Sequence, residues 1–282
     1  MLTINGKPIG FETWALVDIP STDIWHNELL EVKNLGIGAI EISAPCSRDN
    51  VRKSRDALEN LQKKCNELGL SILGWHAPVL SSGLSTSEQI KAIKNKCASW
   101  NTPNVTIIDW QELTNGQFTT LDKYAHLLKV AVAALTPQTQ VYFHVYNNHL
   151  EPIKGSFQTE LDYLLQHTNH QPLGIQLDTY WLAAAGYLSP ERFFREFASL
   201  ENNCLSIHLG NRTADGKNCA LGDPSGKVDC KKWLDIIQND SRVKNMIIEF
   251  MPGALQLPLS VPNSILVNSI QWLKDNGAIL TK

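Results

Sequence analysis

The chain has 282 residues, 43% hydrophobic and 19% charged, with a net charge of -3 and a pI of about 6.2. That is the balance of a globular protein with a sizeable core, long enough for two small domains or one large barrel. It advertises no basic surface for nucleic acid or anionic lipid, no apolar run of the about 20 residues that span a bilayer, and no signal peptide in "MLTINGKPIGFETW".

In chain order, the β-rich runs are "GFETWAL" from Gly10, "AIEIS" from Ala39, "SILGWHAPV" from Ser71 and "NVTIIDW" from Asn104. "QVYFHVY" from Gln140, "LGIQLDTYW" from Leu173, "CLSIHLG" from Cys204 and "NMIIEF" from Asn245 complete the set. Most read as apolar throughout, as expected for parallel strands covered on both faces. Helical patterns lie between them. "DNVRKSRDALENLQKKCNELG" puts Val51, Ala57, Leu58, Leu61, Cys65 and Leu68 on one stripe and stops at Gly69. "SPERFFREFASL" opens with Ser189 as N-cap and Pro190 in the first turn, and "VNSIQWLKDNG" ends at Gly277.

Eight strands, each followed by a helix, predict one α/β domain over residues 1–282, a single (β/α)8 TIM barrel. An open doubly wound sheet is the alternative, but no GxGxxG follows the first strand. Six cysteines without a CxxC pair read as reduced, mostly buried thiols, and the expected setting is cytoplasmic.

Chemistry in such a barrel collects where strands exit at the C-terminal face. The third strand exits at His76, the fifth at His144, the sixth at Asp178, the seventh at His208 and the eighth at Glu249. Each has an ordinary reading. A lone strand-end histidine such as His76 is usually a hydrogen-bonded core residue, and Asp178 can cap the helix that follows it. Glu249 resists that reading, because a carboxylate ending a buried strand needs a partner. Together His144, Asp178, His208 and Glu249 form a set of two imidazoles and two carboxylates. That set suits a divalent transition metal with room left for substrate oxygens.

These residues carry a resemblance. "QLDTYWLAAAGYLSPERF", "SIHLGNR", "ALGDPSGKVDCKKWLDII", "IIEF" and "WHAP" stand in the order and spacing of strand-end motifs of the xylose isomerase-like TIM-barrel superfamily. That is the sugar phosphate isomerase/epimerase group that includes endonuclease IV and the AP endonuclease family 2 type. In its ketose 3-epimerases the metal is held by Glu, Asp, His and Glu from strands five to eight. The resemblance places the last three on Asp178, His208 and Glu249, and puts His144 at the strand-five glutamate position. A second register sets "YNNHLEP" against the "Tyr-His-Asn-His-Asp-x-Glu" of other members, making Asn147 the replaced histidine and His149 the retained one. Arg212 falls near a substrate-binding arginine.

The resemblance implies a metal-dependent isomerase or epimerase of a small sugar or sugar derivative, working by proton abstraction α to a metal-bound carbonyl. Glu249 and His144 are the expected catalytic pair. Trp14, His76, His149, Trp181 and Arg212 are expected to face substrate, and Mn, Co, Zn, Fe or Mg is the expected ion. Histidine in place of the strand-five glutamate removes one acid/base group, since a metal-bound imidazole has little basicity left. A dehydratase or lyase acting on an inosose or keto-sugar is therefore an alternative, and a catalytically inactive sugar-binding barrel a further one. An endonuclease IV reading calls for a histidine soon after the strand-six Asp-Thr and for an Asp-x-His pair. Here Trp181 follows Asp178-Thr179-Tyr180, and no Asp-x-His occurs. The expected partner is a small carbohydrate, with neither nucleic acid nor membrane. A homo-oligomer is compatible with a sequence that carries no signal of oligomeric state.

Overall fold

A computed structural model describes residues 1–13, 22–43, 51–78, 85–108, 121–153, 156, 158–168, 172–251, 254–255 and 262–281. Eight parallel strands follow one another around a ring: β1 (Lys7–Glu12), β2 (Ala39–Ile42), β3 (Ser71–Pro78), β4 (Asn104–Ile108), β5 (Gln140–Val145), β6 (Gly174–Asp178), β7 (Leu205–Leu209) and β8 (Val243–Ile248). β8 pairs in parallel with β1 through Met246↔Ile9, Ile247↔Gly10 and Ile248↔Phe11, which closes the barrel. Helices connect successive strands, among them Val51–Leu68, Thr86–Trp100, Leu121–Leu135 and Cys230–Asn239. All eight expected strands are present, in one (β/α)8 TIM barrel.

Local chemistry marks the helix ends. Ser85 and Glu88 form a reciprocal capping box at the start of Thr86–Trp100, while Asp229 and Ser264 accept amide bonds at the starts of Cys230–Asn239 and Ile265–Asp275. The helix Val51–Leu68 stops where expected, before Gly69 at φ +65°. Ser189 is the N-cap of Pro190–Glu196, although its side chain makes no capping bond. No helix among the described residues is long and apolar enough to cross a membrane, and the five described cysteines are free, four of them buried.

The sequence reading missed an N-terminal strand, Leu2–Ile4, which pairs antiparallel with β1 and with the C-terminal strand Ile279–Leu280. Asn5 and Gly6 take positive φ angles between Ile4 and Lys7, the two-residue hairpin turn that Asn-Gly favours. This hairpin lies at the barrel's N-terminal end, with Leu2 and Ile4 fully buried.

The strands also alternate more than their apolar appearance suggests. Phe11, Ile40, Trp75, Val105, Phe143, Leu177, Ile207 and Ile248 belong to the buried core beneath the helices. Each side chain buried in this way contributes roughly 1.5–3 kcal/mol. The residues next to them, including Glu12, Glu41, His76, His144, Gln176, Asp178 and His208, are polar and nonetheless buried. Successive side chains on a strand point to opposite faces, so this second set lines the barrel lumen. A layer of polar groups at the strand exits, above the Ile247 and Leu73 side chains that pack at Gly10, is the main departure from the expected pattern, and it positions the site.

Candidate metal centre

β5 to β8 deliver four side chains to one point. One ligand atom from each of His144, Asp178, His208 and Glu249 lies within 4.8 Å of all the others, and all four residues are buried. Asp178 ends β6 and is also the N-cap of Thr179–Ala184: its Oδ1 accepts from the Tyr180 amide at 2.8 Å, while its Oδ2 has no hydrogen-bond partner. The capping reading and the ligand reading of this residue are thus compatible, one oxygen each. Glu249 follows β8 directly and packs against the exit of β7. A Cβ on Gly210 would stand 3.1 Å from the Glu249 carbonyl, so glycine permits the close approach.

His208 is central. Its Nδ1 lies 2.5 Å from Glu249 Oε2 and its Nε2 lies 2.6 Å from Glu41 Oε2. Burial alone would lower its pKa, but the carboxylates of Glu41, Glu249 and Glu12 outweigh burial and hold it well above the ordinary value. His144 is the opposite case: burial, followed by the neighbouring His208 and His76, drives its pKa far down and keeps the ring neutral. Burial pushes Asp178 up to about 6, against the pull of His208 and the Tyr180 amide. Burial, and then the negative charges of Asp178 and Glu12, hold Glu249 well above the usual carboxylate range.

Three polar atoms here lack any hydrogen bond: His144 Nδ1, Asp178 Oδ2 and Glu12 Oε2. A buried polar atom left unpaired costs about 1–3 kcal/mol. An imidazole of His144 and a carboxylate of Asp178 with unpaired atoms, in the cluster that His208 and Glu249 complete, fit a divalent cation.

Glu12, Glu41, Gln176 and Ser43 were not singled out in the sequence, yet they build the surroundings. Glu41 accepts from Gln176 Nε2 at 3.0 and 3.1 Å through its two oxygens, and its Oε2 lies 3.1 Å from His76 Nε2. Gly74 makes room for it, since a Cβ there would sit 2.9 Å from Glu41 Oε1. His208 and His76 together overcome the effect of burial and hold Glu41 well below the ordinary carboxylate range, so it is an anion shared by both rings. The signal was available: the argument that made Glu249 conspicuous applies equally to a glutamate inside "AIEIS" or "GFETW".

The residues expected to face substrate fall in different places. Trp181 is half-buried, its ring edge-on to Tyr146 at 6.0 Å. Arg212 lies in a two-residue strand after β7, paired antiparallel with Asn218, with its guanidinium 4.7 Å above the Tyr180 ring. His76 is only 3% exposed, and its nitrogens already meet Ser43, Glu41 and Gln176. His149 is buried, its ring 4.8 Å from Phe143 and its Nδ1 accepting from the Tyr146 amide at 3.0 Å. Both histidines therefore sit in structural settings rather than open ones. Trp14 lies outside the described residues.

The closed (β/α)8 barrel is similar in fold to solved xylose isomerase domain proteins from Salmonella typhimurium and Alicyclobacillus acidocaldarius, each with a TM-score of 0.60 at 12% and 13% identity respectively. L-ribulose 3-epimerase superposes with a TM-score of 0.61 at 15% identity, over 96% of this chain and 94% of that one. The probable 3-DHS dehydratase AsbF of Bacillus anthracis, involved in petrobactin synthesis, gives a TM-score of 0.61 at 13% identity, covering 95% and 98%. The IolI protein with a bound zinc atom gives a TM-score of 0.59 at 13% identity, over 95% of each chain. No protein-family model matches the sequence, and neither does any curated protein.

Proposed function

We propose that the protein is a metal-dependent isomerase or epimerase of a small sugar or sugar derivative that removes a proton α to a carbonyl. The observation that carries this reading is the convergence of His144, Asp178, His208 and Glu249, among which His144 Nδ1 and Asp178 Oδ2 are left without hydrogen bonds. These four residues would hold the ion, and the zinc bound by the similar IolI protein supports that assignment. When bound, a divalent ion polarises the substrate carbonyl and acidifies the neighbouring C–H.

Glu249 is the base. Its carboxylate stands at the exit of β8, with Oε2 beside His208 Nδ1. His144, kept neutral, supplies a lone pair and carries no proton. Glu41 holds the His208 ring through Nε2, which leaves Nδ1 turned toward Glu249, the usual division of labour for a ligating histidine. Trp181 and Arg212 frame the substrate, while His76 and His149 support the walls.

One observation favours a second reading. His144 in place of a strand-five carboxylate leaves a single evident base, which suits a dehydratase or lyase acting on an inosose or keto-sugar. Proton removal by Glu249 would then be followed by loss of a β-hydroxyl as water. The similar probable dehydratase agrees with it.

The test is incubation of metal-replete protein in deuterated water with free ketoses, inososes and 3-keto-glycosides, followed by NMR and ultraviolet absorbance. Deuterium at the α-carbon with epimer formation is the expected result, and a rising enone absorbance instead assigns the lyase reading. Glu249→Gln should abolish either signal. A fully active Glu249→Gln variant, or no exchange with any of these substrates, contradicts the mechanism.

A further inference from the structure

Four buried carboxylates, Glu12, Glu41, Asp178 and Glu249, stand at or near the strand exits. A substrate that itself carried negative charge would be repelled there unless its anionic end lay on a cation to one side. Arg212 offers that cation. The strands Asn211–Arg212 and Asn218–Cys219 pair antiparallel directly after β7. Asn218 Oδ1 accepts from the Met251 amide at 2.6 Å, which ties this hairpin to the chain just beyond Glu249.

The guanidinium is held in place. It is half-buried and lies 4.7 Å above the Tyr180 ring, while the Tyr180 hydroxyl donates to the Gly216 carbonyl at 2.6 Å and so fixes the ring beneath it. Gly216 takes φ +82°, and a Cβ there would stand 2.9 Å from Arg212 Nη2, so only glycine leaves room for this placement. Ring contacts run from Tyr180 to Trp181 at 5.2 Å, from Trp181 to Tyr146 at 6.0 Å and from Tyr146 to His144 at 4.2 Å. An aromatic wall thus leads from the four-residue cluster to Arg212.

What Arg212 lacks is an acid. Among the described residues its guanidinium has no ion pair and no hydrogen bond, and its one contact is the Tyr180 ring. The hairpin's single acid, Asp215, is taken by Lys217 at 2.8 Å and by the Thr213 hydroxyl. The bridge Thr213↔Gly226 and the Lys227 amide, which donates to the Arg212 carbonyl at 2.7 Å, set Lys227 opposite Arg212 in register. Lys227 is likewise without an ion pair among the described residues. Like charges opposite one another across a ladder are destabilising, and an anion between them relieves that. A guanidinium stacked on an aromatic face keeps its fork of donors open for a carboxylate or phosphate.

We infer that the substrate is an anionic sugar derivative whose carboxylate or phosphate Arg212 binds, with its carbonyl end directed to the cluster on β5 to β8. This deepens the proposed function and rests on its placing of the site.

The experiment is calorimetric titration of metal-replete protein with the ketohexoses fructose and tagatose, their 6-phosphates, and their C6 carboxylates fructuronate and tagaturonate. Wild type, Arg212→Gln and Arg212→Lys are compared, with circular dichroism to check the fold. The expected result is that one anionic kind binds the wild type about tenfold or more tighter than its neutral parent, the kind identifying the group as carboxylate or phosphate. Arg212→Gln should erase that difference, and Arg212→Lys should restore part of it. Equal affinity for neutral and anionic members, no binding of either anionic kind, or a preference that Arg212→Gln keeps overturns the inference. Neutral ketoses that bind and exchange α-deuterium as well as the anionic ones overturn it too, and leave the isomerase or epimerase reading standing. An Arg212-dependent preference with no exchange in any probe supports the inference and removes that reading.

Discussion

Two adjoining regions of the barrel lumen treat their polar atoms in opposite ways. Glu41, Gln176 and His76 form a network in which every side-chain nitrogen and oxygen has a partner. Beside them, His144, Asp178 and Glu12 each leave one buried atom unpaired. The first region is satisfied by the fold alone, whereas the second keeps atoms open, as the proposed metal centre requires. The difference separates scaffold from site within a few ångströms, and His208 is the hinge between them, one nitrogen in each.

The largest expected effect comes from breaking the satisfied region. Glu41→Leu strips the partners from His208, His76 and Gln176 at once, and should cost roughly 3–5 kcal/mol in urea denaturation, the usual cost of leaving buried charge uncompensated. A loss below about 1 kcal/mol would dissolve the distinction between the two regions. Next in size is the effect of completing the open region. Adding Zn²⁺ or Co²⁺ at about 100 times its Kd should raise the unfolding free energy by about 2.7 kcal/mol, reversibly with EDTA. In Asp178→Asn the same addition should have little effect.

His149 sharpens the comparison from the scaffold side. Burial drives its pKa down to about 3, against about 6.5 in an unfolded chain. As pH falls between these values the unfolded state takes up a proton that the folded state refuses. The stability present above about 6.5 is therefore lost toward 3, at up to about 1.4 kcal/mol per pH unit. His149→Gln should flatten that slope in denaturation curves measured across the window; an unchanged slope would mean that the ring is solvated. The smallest effect belongs to the open region without metal. Asp178→Asn with Glu249→Gln should leave metal-free stability within about 1 kcal/mol of the wild type or raise it, as functional sites held at a cost to stability commonly do. A loss above about 2 kcal/mol would make these two carboxylates structural.

Much of this was legible in the residues. The eight strands and the four converging side chains could be read because short apolar runs between helical patterns and an exit at the C-terminal face are local, repetitive signals. Glu12 and Glu41 were harder to see. Each sits inside a short run whose apolar neighbours dominate, and its meaning depends on which strand lies across the lumen. Gln176 is harder still, because a neutral amide in a buried strand raises no electrostatic alarm until its partner Glu41 is known. His149 was read as a site histidine by its nearness to His144; it lies in the turn Asn147–Leu150, buried with its ring against Phe143. The opening hairpin was missed although Asn5-Gly6 is a strong turn signal, since a three-residue strand is too short for its pattern to register.

The most direct measurement is the metal content of protein purified without chelator, taken together with its melting temperature before and after EDTA. The account predicts about one divalent ion per chain, lost in Asp178→Asn with Glu249→Gln, and a melting temperature that falls when the ion is removed. Substoichiometric metal with a melting temperature indifferent to EDTA would contradict it.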